Sequence, residues 1–337
     1  MLHWEQYYSL LKSPNPRMKI DIFMPNHSMG LIIDGQVLQK YFKLLNFDVR
    51  VFSIPFHYYH GEHADIPMNF GGADIAIFIE KLLPQSRMLE YPRRILLINP
   101  EWLTSEELQK IDVISEMWHK SQYSFDTVSP KFPKLTHRIT GFTSPDTEMR
   151  AEGFDRFICL TGKAFERRNT QAIFNNWLKH PSWPSIKIQL YGNSLHYPGW
   201  VNFAKKISCY QGFMGRSEYL QSASSSACQL CLSETESFGH YINEARAMAA
   251  FAVILDAPPM NELIDSDSGF LIPITQSKPF NFGEKYTVSE ENLGLAFEKM
   301  LMINPTDRQE LGNNARKRYE KEAQTFKLKL EQACLES

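Results

Sequence analysis

Two carboxylates flank the predicted start of a helix in the stretch 230–262, LCLSETESFGHYINEARAMAAFAVILDAPPMNE. Apolar residues recur at helical spacing after Gly239, which predicts that a helix begins there, with Glu236 before it and Glu244 inside it. The first turn of a helix has backbone N–H groups without partners and a partial positive charge, so it can bind a phosphate. Carboxylates beside it can accept hydrogen bonds from hydroxyl groups. The pattern favours a site for a phosphorylated, hydroxyl-bearing ligand, and the alternative is a solvated helix face.

Three cations lie in a predicted loop earlier in the chain. An apolar strand pattern spans residues 157–161, a helix is predicted from Thr170, and the loop between them contains Lys163, Arg167 and Arg168. Ligands of α/β folds gather at the carboxyl ends of strands, and exposed cations placed there can clamp a diphosphate. The alternative is a solvated basic turn.

The residues around the two carboxylates resemble a family pattern. Residues 233–239 (SETESFG) and 244–249 (EARAMA) are similar to S-x-x-E-G-F-G and E-A-M-A of the group 1, retaining GT-B glycosyltransferases. The resemblance covers most of residues 139–335, and residues 18–138 only by strand order and loop placement. The sequence departs from the family pattern at two positions: Ser237 replaces a glycine, and Ala250 or Phe251 stands where the family has a second glycine. Both departures predict a narrower donor pocket.

The resemblance implies an α/β fold of GT-B type, with two Rossmann-like doubly wound domains facing a central cleft. It implies metal-independent, retaining transfer of a sugar from a nucleotide-sugar donor to a hydroxyl acceptor, with no cofactor besides that co-substrate. Glu244 would hold the ribose hydroxyls and Glu236 the transferred sugar, while Lys163 and Arg168, with the family's cation types exchanged, would stabilise the leaving diphosphate. The implied donor-binding residues are Gly162, Lys163, Arg168, Glu236, Ser237, Phe238, Gly239, His240 and Glu244.

The elements that must position these residues alternate as strand and helix. A strand at 18–24, a helix at 35–46 and a strand at 49–54 form a β-α-β opening without G-x-G-x-x-G, which argues against a dinucleotide oxidoreductase. A second alternating series begins at residue 157. The resulting domain prediction is an acceptor-side domain at 1–150, a nucleotide-sugar-binding domain at 151–315 and, from the resemblance, a helix at 316–337 that crosses back to the first domain.

Loops after the strands of the first domain are the predicted acceptor side, because they should open on the same cleft. They are a loop at 25–34, a loop at 55–72, and a loop from residue 99 that leads to a predicted strand at 111–114. Aromatic rings there can stack on a sugar, and carboxylates can orient a hydroxyl, with His119 expected to titrate near neutrality. The alternative for Glu101, His119 and Lys120 is that they are a surface acid and strand-end cations. The acceptor-side residues so predicted are Gly30, Asp34, Tyr58, Tyr59, Glu101, Trp102, His119 and Lys120, of which Glu101 and His119 are candidate catalytic residues.

Three patterns suggest metal binding without a complete ligand set. His57, His60 and His63 are spaced as H-x2-H-x2-H, but an aromatic loop is favoured because no acidic or thiol partner is fixed nearby. The Cys228–Cys231 pair matches C-x-x-C without a second pair, so core packing is favoured. Residues 265–267 (DSD) lie in a predicted turn and indicate loop chemistry. No metal site is therefore predicted.

Length and composition limit the classes that remain. The chain has 337 residues, enough for two domains, and its 43% hydrophobic and 22% charged residues are typical of a globular protein. No apolar run reaches the ~20 residues of a membrane span, and no signal peptide is evident, so a cytoplasmic location with reduced cysteines is expected. The net charge of −2, balanced within residues 1–150, argues against an unspecific nucleic-acid binder.

The acceptor class stays open at this point: a glycan, a small molecule, a lipid or a modified nucleic-acid base. Two other functions remain as alternatives. One is a catalytically silent sugar-nucleotide binder or scaffold of GT-B fold, which the departures at Ser237 and Phe251 motivate. The other, less favoured because residues 1–150 are neutral, is a glycosyltransferase that acts on a nucleic-acid base.

Overall fold

The structure is a computed structural model that describes residues 17–59, 71–161, 166–190, 206–212 and 214–336. It contains two six-stranded parallel sheets and one two-stranded antiparallel hairpin. Strands with near-continuous apolar sequence lie inside the sheets, as parallel strands covered on both faces require. In the first sheet, all five residues of the strand IAIFI (Ile75–Ile79) are buried.

The first sheet has the order β2-β1-β3-β4-β5-β6. Its strands are β1 (Lys19–Pro25), β2 (Asp48–Ile54), β3 (Ile75–Ile79), β4 (Arg93–Leu97), β5 (Glu116–His119) and β6 (Thr136–Ile139). Ile20 pairs with both Val49 and Ile75, which fixes β1 between β2 and β3.

The second sheet has the order β12-β11-β10-β7-β8-β9. Its strands are β7 (Phe157–Leu160), β8 (Ile186–Leu190), β9 (Ile207–Gln211), β10 (Cys228–Cys231), β11 (Phe251–Asp256) and β12 (Gly269–Pro273). The hairpin follows directly and consists of β13 (Gln276–Phe280) and β14 (Gly283–Thr287), with Phe280 paired to Gly283 at its tip.

Helices connect the strands and close the chain. They are α1 (Met29–Leu44), α2 (Gln85–Met88), α3 (Ser105–Leu108), α4 (Gln122–Val128), α5 (Thr170–Lys179), α6 (Arg216–Ser224), α7 (His240–Ala247), α8 (Met260–Leu263), α9 (Glu290–Leu301) and α10 (Pro305–Leu335). The 31-residue α10 has Pro305 in its first turn and Asn304 as N-cap, whose side chain accepts from the Asp307 N–H. Helix α10 contacts α7, β11 and β12.

Three elements differ from the sequence prediction. Helix α1 begins at Met29, so Gly30 and Asp34 lie in a helix where the sequence predicted a loop. The predicted strand at 111–114 is a short 3-10 turn, Ile111–Val113, and the strand comes later, as β5. The run 276–287 folds as a hairpin that the sequence did not suggest, because β13 is mostly exposed and the run lacks a clear apolar alternation.

The chain forms two compact units. Unit 1 contains residues 1–97 and 105–117, and unit 2 contains residues 98–104 and 118–337. The domain boundaries drawn from the sequence stay a prediction. Among the helices that the structure describes, none is both long enough and apolar enough to cross a membrane.

Candidate functional site

The second sheet reverses its strand order between β7 and β10. From β7 the chain continues outward through β8 and β9, and from β10 it continues in the other direction through β11 and β12. Ligands of open α/β sheets bind outside the carboxyl ends of the strands at such a reversal. The loop that leaves β7 carries Arg167 and Arg168, and the loop that leaves β10 carries Glu236 and leads to α7, so the sheet topology brings these residues to the same end of the sheet.

Helix α7 begins where the sequence predicts. Gly239 is its N-cap and has a φ of +93°, in the left-handed region that favours glycine. A Cβ at this position would lie 3.1 Å from Cδ1 of Ile242. Since α7 directly follows β10, its positive N-terminal end lies at the carboxyl end of the sheet. A glycine at 239 is therefore needed to start the helix at the strand reversal.

Arg168 supplies a fixed positive charge in this region. Its Cζ lies 3.7 Å from the ring centroid of Tyr241, and its Nη1 donates to the carbonyl oxygen of Leu160 at 2.7 Å. Burial opposes the charge, but Tyr241 and Glu236 nearby raise the pKa of the guanidinium. The prediction of a freely exposed cation is wrong for Arg168, because the ring of Tyr241 covers one face of a half-buried side chain.

Glu244 is a buried carboxylate with a cationic partner. Its Oε1 accepts from Nη2 of Arg216 at 2.7 Å, and the side chains are 4% and 41% exposed respectively. Arg216 is the first residue of α6, and its Cζ lies 5.4 Å from the ring centroid of Tyr219. Burial and the nearby Glu244 carboxylate raise the pKa of Tyr219 well above its usual value. The carboxylate predicted to hold ribose is thus paired with a cation whose side chain reaches solvent.

Ser237 makes a contact that a glycine cannot make. Its Oγ donates to Oε1 of Glu101, which lies in the 3-10 turn Pro100–Trp102 and is 4% exposed. Glu236, the residue that precedes Ser237, is half-buried. The structure thus brings one residue predicted on the acceptor side, Glu101, against the predicted donor motif, residues 236–244.

Residues just after β6 pack against the start of α7. The Ser144 Oγ and His240 Nδ1 lie 2.8 Å apart, and the Phe142 ring contacts those of Phe238 and His240 at centroid distances of 5.5 and 6.0 Å. The Lys120 ammonium lies 4.9 Å from the centroid of the Phe142 ring and is 5% exposed. Lys120 therefore packs near the donor motif, as Glu101 does.

The other predicted acceptor-side residues are divided between the two units. Trp102 packs edge-on against Phe280 at 5.7 Å, with the Arg167 guanidinium 5.0 Å from its ring centroid. Tyr58 is half-buried beside His57, with ring centroids 4.1 Å apart. Tyr59 is 1% exposed, and burial raises the pKa of its hydroxyl well above its usual value.

Two of these predictions need correction. Tyr59 does not offer a stacking surface, because its ring is buried within unit 1. Asp34 is 2% exposed inside α1, so it does not lie on an open loop. Gly30 lies in the first turn of the same helix.

His119 does not titrate near neutrality. The ring is completely buried at the end of β5, with Nδ1 2.9 Å from the Ser124 Oγ and Nε2 3.0 Å from Nδ1 of His137. Burial, with a smaller contribution from His137, lowers the pKa of His119 to about 3. The expected neutral titration is wrong because sequence spacing does not reveal burial. Its catalytic role stays a prediction.

Several predicted residues lie outside the described part of the chain: Gly162, Lys163, His60 and His63. Within the described ranges, no three His, Cys, Asp or Glu side chains are grouped so that they can hold a metal ion. Cys228 and Cys231 are buried thiols in β10, and burial raises the pKa of Cys228 to about 12. Asp265 pairs with Arg318 at 2.6 Å in a turn, which is the loop chemistry that the sequence indicated.

Four residues at the site were missed by the sequence prediction: Ser144, Arg216, Tyr219 and Tyr241. Tyr241 lies inside the motif, and its place in the first turn of α7 is a signal that could have been used. Arg216 is 28 residues from Glu244 and carries no such signal, because the two side chains meet only in the folded chain.

Comparisons with known proteins establish the fold. No protein-family model and no curated protein sequence matches this chain. Among solved structures, the chain is similar to sucrose-phosphate synthase from Thermosynechococcus elongatus, with a TM-score of 0.66, 12% identity and coverage of 94% of this chain and 98% of that one. A glycosyltransferase from Rickettsia africae ESF-5 gives a TM-score of 0.66 at 12% identity, with 96% and 100% coverage.

Anabaena HepE, solved in complex with UDP-glucose, gives a TM-score of 0.66 at 10% identity, with 95% of this chain and 100% of that chain covered. Identities this low show the fold and no more. The α/β fold class predicted from the sequence, GT-B with two Rossmann-like domains, is confirmed.

Proposed function

We propose that this chain is a glycosyltransferase that moves a sugar from a nucleotide-sugar donor to a hydroxyl acceptor. The observation that carries the proposal is the grouping of Arg168, the N-terminus of α7, Glu236 and Glu244 at the strand reversal of the second sheet. A cation and a helix N-terminus suit a diphosphate, and carboxylates suit hydroxyl groups. The shared fold with HepE, which was solved with UDP-glucose, supports this choice of donor class.

The proposed reaction retains the configuration at the anomeric carbon and uses no metal, as the family resemblance implies. The bond from the anomeric carbon to the diphosphate oxygen breaks, and the acceptor oxygen bonds to that carbon on the same face. The acceptor proton passes to a phosphate oxygen of the departing nucleoside diphosphate. Arg168 and the α7 N-terminus, together with Lys163, stabilise the charge that grows on the diphosphate.

A second candidate is a catalytically silent sugar-nucleotide binder. The observation that favours it is the ion pair between Arg216 and Glu244, because a donor ribose must share or displace a partner that the carboxylate already holds. Such a protein would bind a nucleotide sugar without cleaving it.

A panel of UDP-, GDP-, ADP- and dTDP-linked hexoses separates these candidates. Binding is measured by the shift in melting temperature, because a ligand that binds the folded state stabilises it by mass action. Turnover is measured as nucleoside diphosphate released, with and without EDTA, and the anomeric configuration of the product by proton NMR. Binding with slow donor hydrolysis supports the transferase, binding without any cleavage supports the silent binder, and no binding across the panel rejects both.

A further inference from the structure

The tip of the β13–β14 hairpin contacts the turn that carries Glu101. The backbone N–H of Phe282 donates to the carbonyl oxygen of Pro100 at 3.2 Å, and the side chain of Asn281 donates to the carbonyl oxygen of Glu101 at 2.7 Å. The ring of Phe280 packs against Trp102. Three consecutive tip residues thus contact three consecutive residues of the turn.

The same hairpin is also bonded to the loop before α7. The backbone N–H of Tyr286 donates to the carbonyl oxygen of Glu234 at 2.7 Å, and Lys285 Nζ pairs with the Glu234 carboxylate at 2.8 Å. Glu234 lies three residues before Ser237 in that loop. One two-stranded element therefore contacts both the turn that carries Glu101 and the loop that carries Ser237.

The space between the hairpin and Glu101 is filled. A Cβ added to Gly283 would lie 3.2 Å from Cβ of Glu101 and 3.3 Å from its backbone nitrogen. Glu101 therefore packs against the hairpin backbone and accepts from the Ser237 hydroxyl. Its carboxylate has a set position beside the donor motif.

We infer that Glu101 and Ser237 form a specificity-determining contact for the transferred sugar, with the hairpin as the element that positions it; this rests on the proposed function. Ser237 lies two residues before Gly239, the N-cap of α7, so a group attached to a diphosphate at that N-terminus can reach it. A carboxylate has two oxygens and about four acceptor positions, so Glu101 can accept from Ser237 and from a sugar hydroxyl together. The ligand group recognised is a hydroxyl of the sugar, and the nucleotide does not take part.

The test compares binding and turnover of UDP-glucose, or the preferred donor of the panel, with binding of the matching nucleoside diphosphate alone. The variants are Ser237→Gly, Glu101→Gln and Asn281→Gly, the last because glycine keeps the φ of +52° at 281 while removing the bond to Glu101. Lys278→Ala is the matched control, an exposed residue of the same hairpin.

Ser237→Gly and Glu101→Gln should raise the KM for the nucleotide sugar about tenfold, and Asn281→Gly about threefold, because each loses or loosens a hydrogen bond to a charged group. The Kd for the nucleoside diphosphate should stay within about twofold in every variant, since the contact lies beyond the diphosphate. Lys278→Ala should match the wild type in both.

Three results overturn the inference. Equal loss of affinity for the sugar nucleotide and the free diphosphate would make the contact structural, and an unchanged KM in Ser237→Gly and Glu101→Gln would remove its role in sugar recognition. A wild-type protein that binds no nucleotide sugar would refute the proposed function and this inference with it. The first two outcomes leave the proposed function standing.

Discussion

The two ends of the second sheet each hold an arginine over an aromatic ring, and they differ in what else lies nearby. At the amino ends of β7 and β10, Arg308 stacks on Phe157 at 5.1 Å and donates to the carbonyl oxygen of Phe154 at 2.9 Å. At the carboxyl ends, Arg168 stacks on Tyr241 and donates to a carbonyl oxygen in the same way, but beside Glu236.

The partners of the two side chains explain why a functional role is proposed for Arg168 alone. Arg308 also donates to the carbonyl oxygens of Met300 and Leu301, the last residues of α9, so its charge ties a helix end to the sheet. Arg168 lies near a helix N-terminus and carboxylates. A grouping of this kind is suited to binding a ligand. An arginine on an aromatic ring is therefore no mark of function by itself, and the charged groups around it decide its role.

The largest expected effect comes from exchanging each arginine for methionine, which removes the charge and keeps most of the volume. Arg168→Met should lower donor turnover about 100-fold, because a preorganised positive charge on the leaving diphosphate is lost. Arg308→Met should lower stability by about 2 kcal/mol through unpaired carbonyls and lost packing, with turnover per folded molecule near that of the wild type.

Measurements of turnover and urea unfolding on both variants test this contrast. Arg168→Met also loses packing on Tyr241, so some loss of stability accompanies its loss of activity. Two variants that lose activity in proportion to folded protein would show that both ends of the sheet have the same, structural role.

The second prediction concerns Glu244, the more buried of the two carboxylates, Glu236 and Glu244, near the carboxyl ends of β7 and β10. Glu244→Ala should weaken donor binding by about 1.5 to 3 kcal/mol, because ribose hydroxyls lose a charged acceptor. Its partner Arg216 is 41% exposed and can be hydrated, so the folded state should change little. Calorimetric titration with the nucleoside diphosphate measures the change.

Glu218→Ala is the control for that titration, because Glu218 is an exposed acid in the first turn of α6, close in sequence to Arg216. It should bind as the wild type does. An unchanged affinity in Glu244→Ala would remove the assignment of the ribose site.

The third prediction separates burial from function at His119. The pKa of its ring is about 3 in the folded protein and about 6.5 when unfolded, so the unfolded state binds a proton first as the pH falls. Stability from this group is complete above pH 6.5 and is lost towards pH 3, by up to about 1.4 kcal/mol per pH unit. Urea unfolding from pH 7.5 to 4.5 measures the slope.

His119→Asn should show a shallower decline of stability over that range than the wild type. His57→Asn, a change at an exposed histidine, should keep the wild-type slope. Equal slopes in all three proteins would mean that His119 is accessible enough to titrate normally.

The smallest expected effect is a change in stability, and it is tested by comparing two glycine N-caps of unit 2. Gly239 has a φ of +93°, whereas Gly215, before α6, has a φ of −64° and open space around a Cβ. Gly239→Ala should cost about 1 to 2 kcal/mol of stability and Gly215→Ala close to none. Thermal unfolding compares them, and equal melting temperatures would contradict the strain assigned to Gly239.

The sequence alone determined the alternating elements of this protein and the residue at which α7 begins. Apolar runs such as IAIFI (Ile75–Ile79) and FAVILD (Phe251–Asp256) predict buried parallel strands, and the start of α7 follows from Gly239 and the helical spacing after it. These features are local: strand and helix periodicity, and the need for glycine at a positive φ, are set by neighbouring residues.

The tertiary structure alone decided which side chains meet. The pairing of Arg216 with Glu244 spans 28 residues and that of Glu101 with Ser237 spans 136, and no local pattern encodes contacts over such separations. Burial was equally hidden, since His119 and Tyr59 look like surface residues in the sequence and lie in the interior. Side-chain environment depends on packing between elements, and packing is fixed only when the whole chain folds.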